Sequence, residues 1–280
     1  MKAHALRIPS RSENWWRTFF TSEIGKLLFS MPAEQSRREV RTVIEATRLK
    51  KGARVLDLCC GIGRHSVEFG KQGMDVTGLD YSRHYVATAQ SAVKKHGLGD
   101  RVRIVRGDMR SLTHYFKPAE FDVVVLLFNS FGYFRDRRDD HKVLSQISKI
   151  LKPGGSLVIE TNNVFTAPEN VRSQLPPKFV NGRARGFGRE PVKNFFVIDK
   201  SIFDRARRQT YFGWTIIDVR KRPAKIKRIS WRQNIYSHAE FKNLLEPLGM
   251  QITEVWESLA GGTFDADKSW HQTFVAVKTT

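Results

Sequence analysis

Asp57, Gly61, Gly63 and Asp80 are the residues of this 280-residue chain whose types and spacing could do chemistry. Two glycines one residue apart suit a sharp turn, because glycine tolerates positive φ and puts no Cβ in the way of a ligand. An acid stands on each side of the turn. Asp80 lies 19 positions after Gly61, near the ~20-residue spacing at which a second-strand carboxylate reaches the ribose hydroxyls of a bound nucleoside. Together these residues outline a nucleoside-type ligand site.

Such a site needs particular elements to hold it. Val55, Leu56 and Leu58 form a short apolar run suited to a strand buried in a parallel sheet. The segment from Arg64 to Lys71 opens a helix whose first amides point back over the turn. Met74 to Leu79 alternate as a second strand that delivers Asp80. A dinucleotide fingerprint would read G-x-G-x-x-G, whereas here the run is Asp57-Leu58-Cys59-Cys60-Gly61-Ile62-Gly63.

That acid-led turn resembles the first motif of the class I S-adenosylmethionine-dependent methyltransferases, in which CCG-x-GRH-S is a frequent variant. The resemblance implies S-adenosylmethionine as cofactor, with Asp57, Cys59, Gly61 and Gly63 in the first motif and Asp80 on the ribose diol. Cys59 occupies the place where many members carry their first glycine. An acid suits a cofactor that offers an α-amino group and a sulfonium rather than two phosphates. Asp108 and Met109, after the strand expected at Val102 to Val105, resemble the adenine-binding motif, with Asp108 accepting from the exocyclic amine and Met109 packing on the ring. Tyr81 is a second candidate to stack on adenine.

Phe121 to Phe128 is apolar but for Asp122, as suits a central strand, and it runs into Asn129, Ser130, Phe131, Gly132 and Tyr133. Strand carboxyl ends form the ligand crevice in an open α/β sheet, so these residues are expected to meet the transferred group. The run resembles that of glycine/sarcosine and sugar-amine N-methyltransferases, where an Asn or Ser follows the strand and a His or Tyr comes four residues later. The resemblance implies that Asn129 lines the methionine part and that Tyr133 is catalytic, orienting the acceptor or taking its proton. The Asn/Asp-Pro-Pro-aromatic run of base N6 methylation is absent here, as is the nucleophilic cysteine of cytosine C5 methylation. His65, His141 and His271 read as surface or structural histidines.

Composition sets the surroundings. The chain carries 48 Lys plus Arg against 28 Asp plus Glu, a net charge of +20. Seventeen basic residues and five acids fall between Phe165 and Ile235, so this one segment supplies +12. Such a field steers anions, which admits an anionic small acceptor or, through phosphate contacts, RNA. The two cysteines are adjacent and inside the turn, which argues against a disulfide framework or a metal site. The longest apolar run, Val123 to Phe128, is far short of the ~20 residues of a membrane helix. No charged-then-apolar leader opens the chain, so a soluble cytoplasmic protein is expected.

The expected fold is α/β, a doubly wound Rossmann-like seven-stranded methyltransferase sheet with an inserted antiparallel β subdomain. Residues 1–50 read as helices over the site, with helices at Trp15 to Phe29 and Glu34 to Leu49. Residues 51–163 and 236–280 read as the cofactor domain, and 164–235 as a basic β insertion that closes over the substrate and offers a surface for oligomerisation. Within the cofactor domain, Lys152-Pro153-Gly154-Gly155 is expected to break the chain between a helix ending at Leu151 and a strand from Ser156 to Glu160. The runs at Trp15 to Phe20, Ile235 to Phe241 and Gly262 to Asp265 resemble a widespread bacterial branch of small-molecule methyltransferases. The functional expectation is methyl transfer to nitrogen or oxygen of a small acceptor. The alternatives are an RNA or ribonucleoprotein methyltransferase and a cofactor-binding regulatory protein without turnover.

Overall fold

The computed structural model describes residues 14–20, 31–163, 183–184, 192–193, 195–204, 206–219 and 221–279. Five parallel strands form the heart of the main sheet: β1 (Arg54–Leu58), β2 (Asp75–Asp80), β3 (Val102–Arg106), β4 (Phe121–Leu126) and β5 (Leu151–Asn162). β11 (Met250–Trp256) and β12 (His271–Lys278) complete it as antiparallel neighbours, in the order β11-β12-β5-β4-β1-β2-β3. The chain reverses its direction of travel across the sheet between β1 and β4. That switch point is where a crevice opens beyond the strand ends of a doubly wound sheet.

Strand alternation divides the core into two layers. In β4, Val124 and Leu126 face one layer while Val123 and Val125 face the other, as a side-chain period of two requires. Helices α2 (Ala33–Thr47), α3 (Arg64–Lys71) and α4 (Arg83–Lys95) cover the second face through Val40, Val43, Phe69 and Ala89. Helices α5 (Arg137–Ile150) and α6 (His238–Leu245) cover the first through Leu144, Ile147 and Phe241. Both faces are closed, so β1 and β4 are apolar on both sides apart from Arg54, Asp57 and Asp122. Ser82 caps α4 through a bond from the Tyr85 amide, as its position in the sequence predicts.

The insertion builds a separate antiparallel sheet of β8 (Phe195–Asp204), β9 (Gln209–Asp218) and β10 (Lys225–Asn234), in the order β10-β9-β8. A two-residue ladder of β6 (Arg183–Ala184) with β7 (Val192–Lys193) precedes it. Three alternating runs in the sequence, Phe195 to Ile198, Thr210 to Val219 and Ile226 to Ile235, fall on these strands to within one residue. Two boundaries differ from expectation. Lys152 to Gly155 lie within β5, whose pairing with β4 takes up the irregularity as a register shift. The helix expected from Trp15 to Phe29 is α1 (Trp16–Phe19) in the described residues, and 21–30 lie outside them. Among the described residues, no helix is long and apolar enough to cross a membrane.

Candidate active site

β1 ends in a turn that is left-handed at Cys59, Gly61 and Gly63, with φ of 59°, 57° and 81°. Such a conformation costs an L-residue about 1–2 kcal/mol, which explains why a glycine is common at the place of Cys59. Two bonds tie the turn to β2: the Cys60 amide donates to the Leu79 carbonyl at 3.0 Å, and the Gly61 amide to Asp80 Oδ2 at 2.9 Å. Asp80 Oδ1 accepts from the Ser82 amide at 2.8 Å. Burial pushes the Asp80 carboxyl up to about 6, against the pull of the Ser82 and Gly61 amides. Each carboxylate oxygen has a second lone pair, so Asp80 keeps two acceptor sites. Asp57 is buried lower in the turn and accepts from Ser66 Oγ at 2.5 Å; burial pushes it up to about 6 as well.

A cavity of about 1170 Å3 runs along the strand ends. All ten residues singled out in the sequence line it except Gly63, which starts α3 directly behind the turn. At the β3 end, Met109 is buried with its sulfur 3.6 Å from Cys59 Sγ. Asp108 is held by Arg110, whose Nη2 lies 2.7 Å from Oδ2 and whose amide donates to Oδ1 at 2.9 Å. Tyr81 meets Trp16 edge-on at 4.7 Å, with the Arg106 guanidinium over its ring at 5.6 Å.

At the β4 end, Phe128 and Asn129 are both left-handed, with φ of 61° and 56°. Asn129 Nδ2 lies 3.1 Å from His271 Nδ1. Tyr133 packs on Trp15 at 4.9 Å and Phe20 at 5.9 Å. Burial pushes its phenol above the ordinary range, so its hydroxyl is neutral at physiological pH.

Four features escaped the sequence reading because their partners are far apart in the chain. Glu39 on α2 meets Arg64 Nη1 at 2.5 Å and His65 Nε2 at 2.7 Å; burial alone would raise this carboxyl, but His65 and Arg64 hold it down to about 2. Glu160 on β5 is 5% exposed and lines the cavity. Burial pushes its carboxyl up to about 7, Glu39 adds to this, and bonds from the Phe128 and Asn129 amides oppose it. Gln233, at the end of β10, donates to the carbonyls of Asn129 at 2.9 Å and Phe131 at 2.6 Å and accepts from Asn162 at 3.1 Å. Its neighbour Asn234 donates from its amide to the Gly132 carbonyl at 2.7 Å and from Nδ2 to Asp140 at 2.6 Å. The insertion therefore grips the β4 loop through two buried carboxamides.

The donors and acceptors fit S-adenosylmethionine. The turn presents a carboxylate with free lone pairs to a ribose, and among the described residues no lysine lines the wall. Fold and site together resemble those of the class I S-adenosylmethionine-dependent methyltransferases. Residues 55–155 match the model of a family described as a methyltransferase domain. The chain is 30% identical over 150 residues to a putative methyltransferase, YqeM, of Bacillus subtilis, covering 54% of this chain and 57% of that protein. It thus spans little more than half the length of this curated relative. Among solved structures, the CcbJ methyltransferase of Streptomyces caelestis superposes with a TM-score of 0.73 at 18% identity, covering 94% of this chain and 99% of that one. An amino pentose methyltransferase of Micromonospora echinaspora, CalS10, solved with its S-adenosylmethionine bound, gives 0.60 at 23% identity, covering 92% and 94%.

Proposed function

We propose that the chain transfers the methyl group of S-adenosylmethionine to a nitrogen of a small acceptor. The observation that carries this reading is the continuity of one cavity from Asp80 past Asn129 and Tyr133 to the ends of β5 and β12. At about 1170 Å3 it exceeds the roughly 300–1,000 Å3 of a pocket for one drug-sized ligand, which suits two ligands end to end. When bound, the cofactor supplies a methyl carbon on a sulfonium, a leaving group that needs no protein acid.

The roles of the residues follow the order of the strands. Asp108 and Met109 at β3, with Tyr81 just after β2, take the adenine, Asp80 at β2 the ribose diol, and Asp57 with the Cys59–Gly63 turn supports the methionine part at β1. Asn129 lines the junction between the two ligands. Tyr133 acts as a neutral hydroxyl that orients the acceptor, since its raised ionisation disfavours a role as base. Rate then comes mainly from holding the nucleophile in line with the methyl carbon. The nearest structural support for an amine acceptor is CalS10, which is described as acting on an amino pentose.

An anionic or nucleic-acid acceptor has less support, because none of the described basic residues of the insertion lines the cavity. The test is labelled S-adenosylmethionine in an extract of the source cell. A labelled small product that disappears with Asp80→Ala is expected. Label confined to RNA, or failure of S-adenosylhomocysteine to bind in calorimetry, would refute the reading.

A further inference from the structure

The wall of the cavity is opposite in sign to the protein. Against a net charge of +20, the described lining carries six acids, Glu34, Glu39, Asp57, Asp80, Asp108 and Glu160, and two arginines, Arg38 and Arg64. His65 is buried and pushed down to about 4, so it adds no positive charge near neutrality. Most of these acids are spoken for: Glu39 by Arg64 and His65, Asp108 by Arg110, Glu34 by Arg37 at the rim, and Asp57 by Ser66. Glu160 differs. Its Oε2 is buried and has no hydrogen-bond partner among the described residues, and it stands at the end of β5, two strands beyond the β1 turn.

Rings from three separate elements wall the same cavity, and one of them, Trp231, stands two residues before Gln233, whose side chain bonds Asn162 two residues beyond Glu160. Trp15 and Phe19 come from the N-terminal segment, Tyr133 from the β4 loop, and Phe212, Trp214 and Trp231 from the inserted sheet. Phe19 lies 4.8 Å from Trp231 and 6.2 Å from Trp214. Phe212 is stacked on Trp231 at 5.2 Å and 15°, and Trp15 is 6.3 Å from Trp231. The Trp15 indole N–H is buried and has no acceptor among the described residues, although buried indoles usually find one.

From this juxtaposition we infer that the acceptor is a cationic amine on a flat apolar body, with the body against Trp15, Phe19 and Trp231 and the nitrogen directed toward Glu160. The inference rests on the methyl-transfer reading and narrows it. Aromatic faces attract cations, and rings of this kind cover an apolar plane far better than a sugar or a short amino acid. An anion would have to enter a wall of net negative charge. The bound ammonium first gives one proton to the Glu160 carboxylate. The neutral amine's lone pair then forms the N–C bond as the methyl carbon's bond to sulfur breaks, sulfur keeps the electron pair, and the product leaves as the methylammonium. Arg64, Glu39 and His65 from α2 and α3 and His271 from β12 also line the cavity, and Glu39 and Arg64 act on the Glu160 carboxyl.

Calorimetry on protein saturated with S-adenosylhomocysteine tests this with three probes that share one body: 2-phenylethylamine, 2-phenylethanol and 3-phenylpropionate. The amine is expected to bind at least about tenfold more tightly than the carboxylate. Trp231→Ala should weaken it about tenfold while S-adenosylhomocysteine affinity, which also reports folding, stays within about threefold. Glu160→Gln should bring the amine down to the level of the alcohol. Carboxylate binding as tight as the amine, no amine binding up to about 10 mM, or an unchanged amine-to-alcohol ratio in Glu160→Gln would overturn the inference and leave methyl transfer standing. Failure of S-adenosylhomocysteine to bind the wild type would overturn the methyl-transfer reading, and this inference with it.

Discussion

Replacing Gly132 by alanine tests the junction between the insertion and the β4 loop. Gly132 has φ +86°, and a Cβ there would overlap the carbonyl oxygen of Asn234 and stand 3.2 Å from both its carbonyl carbon and its amide nitrogen. Those neighbours are backbone, so no flexible side chain can move aside. The left-handed conformation costs about 1–2 kcal/mol for a residue with a Cβ, and forcing atoms into a packed site adds about 1–3. Loss of the Asn234-to-Gly132 hydrogen bond, 2.7 Å long, removes about another 1 kcal/mol. The sum is about 3–6 kcal/mol, which lowers Tm by about 10 °C or more in a protein of this size. Gly52→Ala is the matched control. Gly52 has φ +79° with nothing within 4 Å of a new Cβ, so only the conformational part, about 1–2 kcal/mol, should remain. Scanning calorimetry on both variants separates the contact from the conformation. Equal losses of Tm would refute the claim that Asn234 presses on Gly132.

Asp80→Ala is expected to abolish S-adenosylhomocysteine binding in calorimetry, and wild-type affinity would remove Asp80 from the ribose. Because burial holds Asp80 near pH 6 and diol hydroxyls need an acceptor, affinity should fall as pH drops through about 6; a flat profile from pH 8 to 5 would contradict this. Asp140 is raised by burial from 3.8 to about 7. Between about pH 4 and 7 the folded chain therefore holds a proton that the unfolded chain has released, so this group's contribution to stability declines as pH rises through that window. Asp140→Asn should flatten that decline in urea unfolding at pH 5.5 and 8. Tyr133→Phe should cut turnover by about tenfold or more while S-adenosylhomocysteine affinity holds; unchanged turnover would end its catalytic role.

What the sequence disclosed and what it hid divide along one physical line. The Asp57-to-Asp80 unit was legible because strand, turn, helix and strand follow one another, and the turn demands glycine or a residue bearing left-handed strain. β8, β9 and β10 were legible from alternation alone. Glu39, Arg64, Glu160 and Gln233 were hidden because each acquires its meaning from a partner brought close only by folding: Gln233 is 104 residues from Asn129. The placement of the insertion's charge was hidden for a related reason: composition gives its sum but not where it falls, and the described basic residues of the insertion do not line the cavity. The Lys152–Gly155 run was read as a break between helix and strand, yet Gly154 at φ +75° lies inside β5.

The grip of Gln233 and Asn234 on the β4 loop has a thermodynamic consequence. The two residues end a strand whose Trp231 stands in the wall assigned to the acceptor; the Gln233 carboxamide holds the carbonyls of Asn129 and Phe131, and the Asn234 main-chain amide that of Gly132, beside the wall assigned to the cofactor. A displacement of β10 by one ligand is thereby felt at the other, and linkage requires the effect to be equal in both directions. Whatever factor the cofactor adds to acceptor affinity, the acceptor returns to the cofactor. The far hairpin, around Lys221 to Ala224, takes no part in these bonds, while the last two residues of β10 are tied to the loop that serves both ligands.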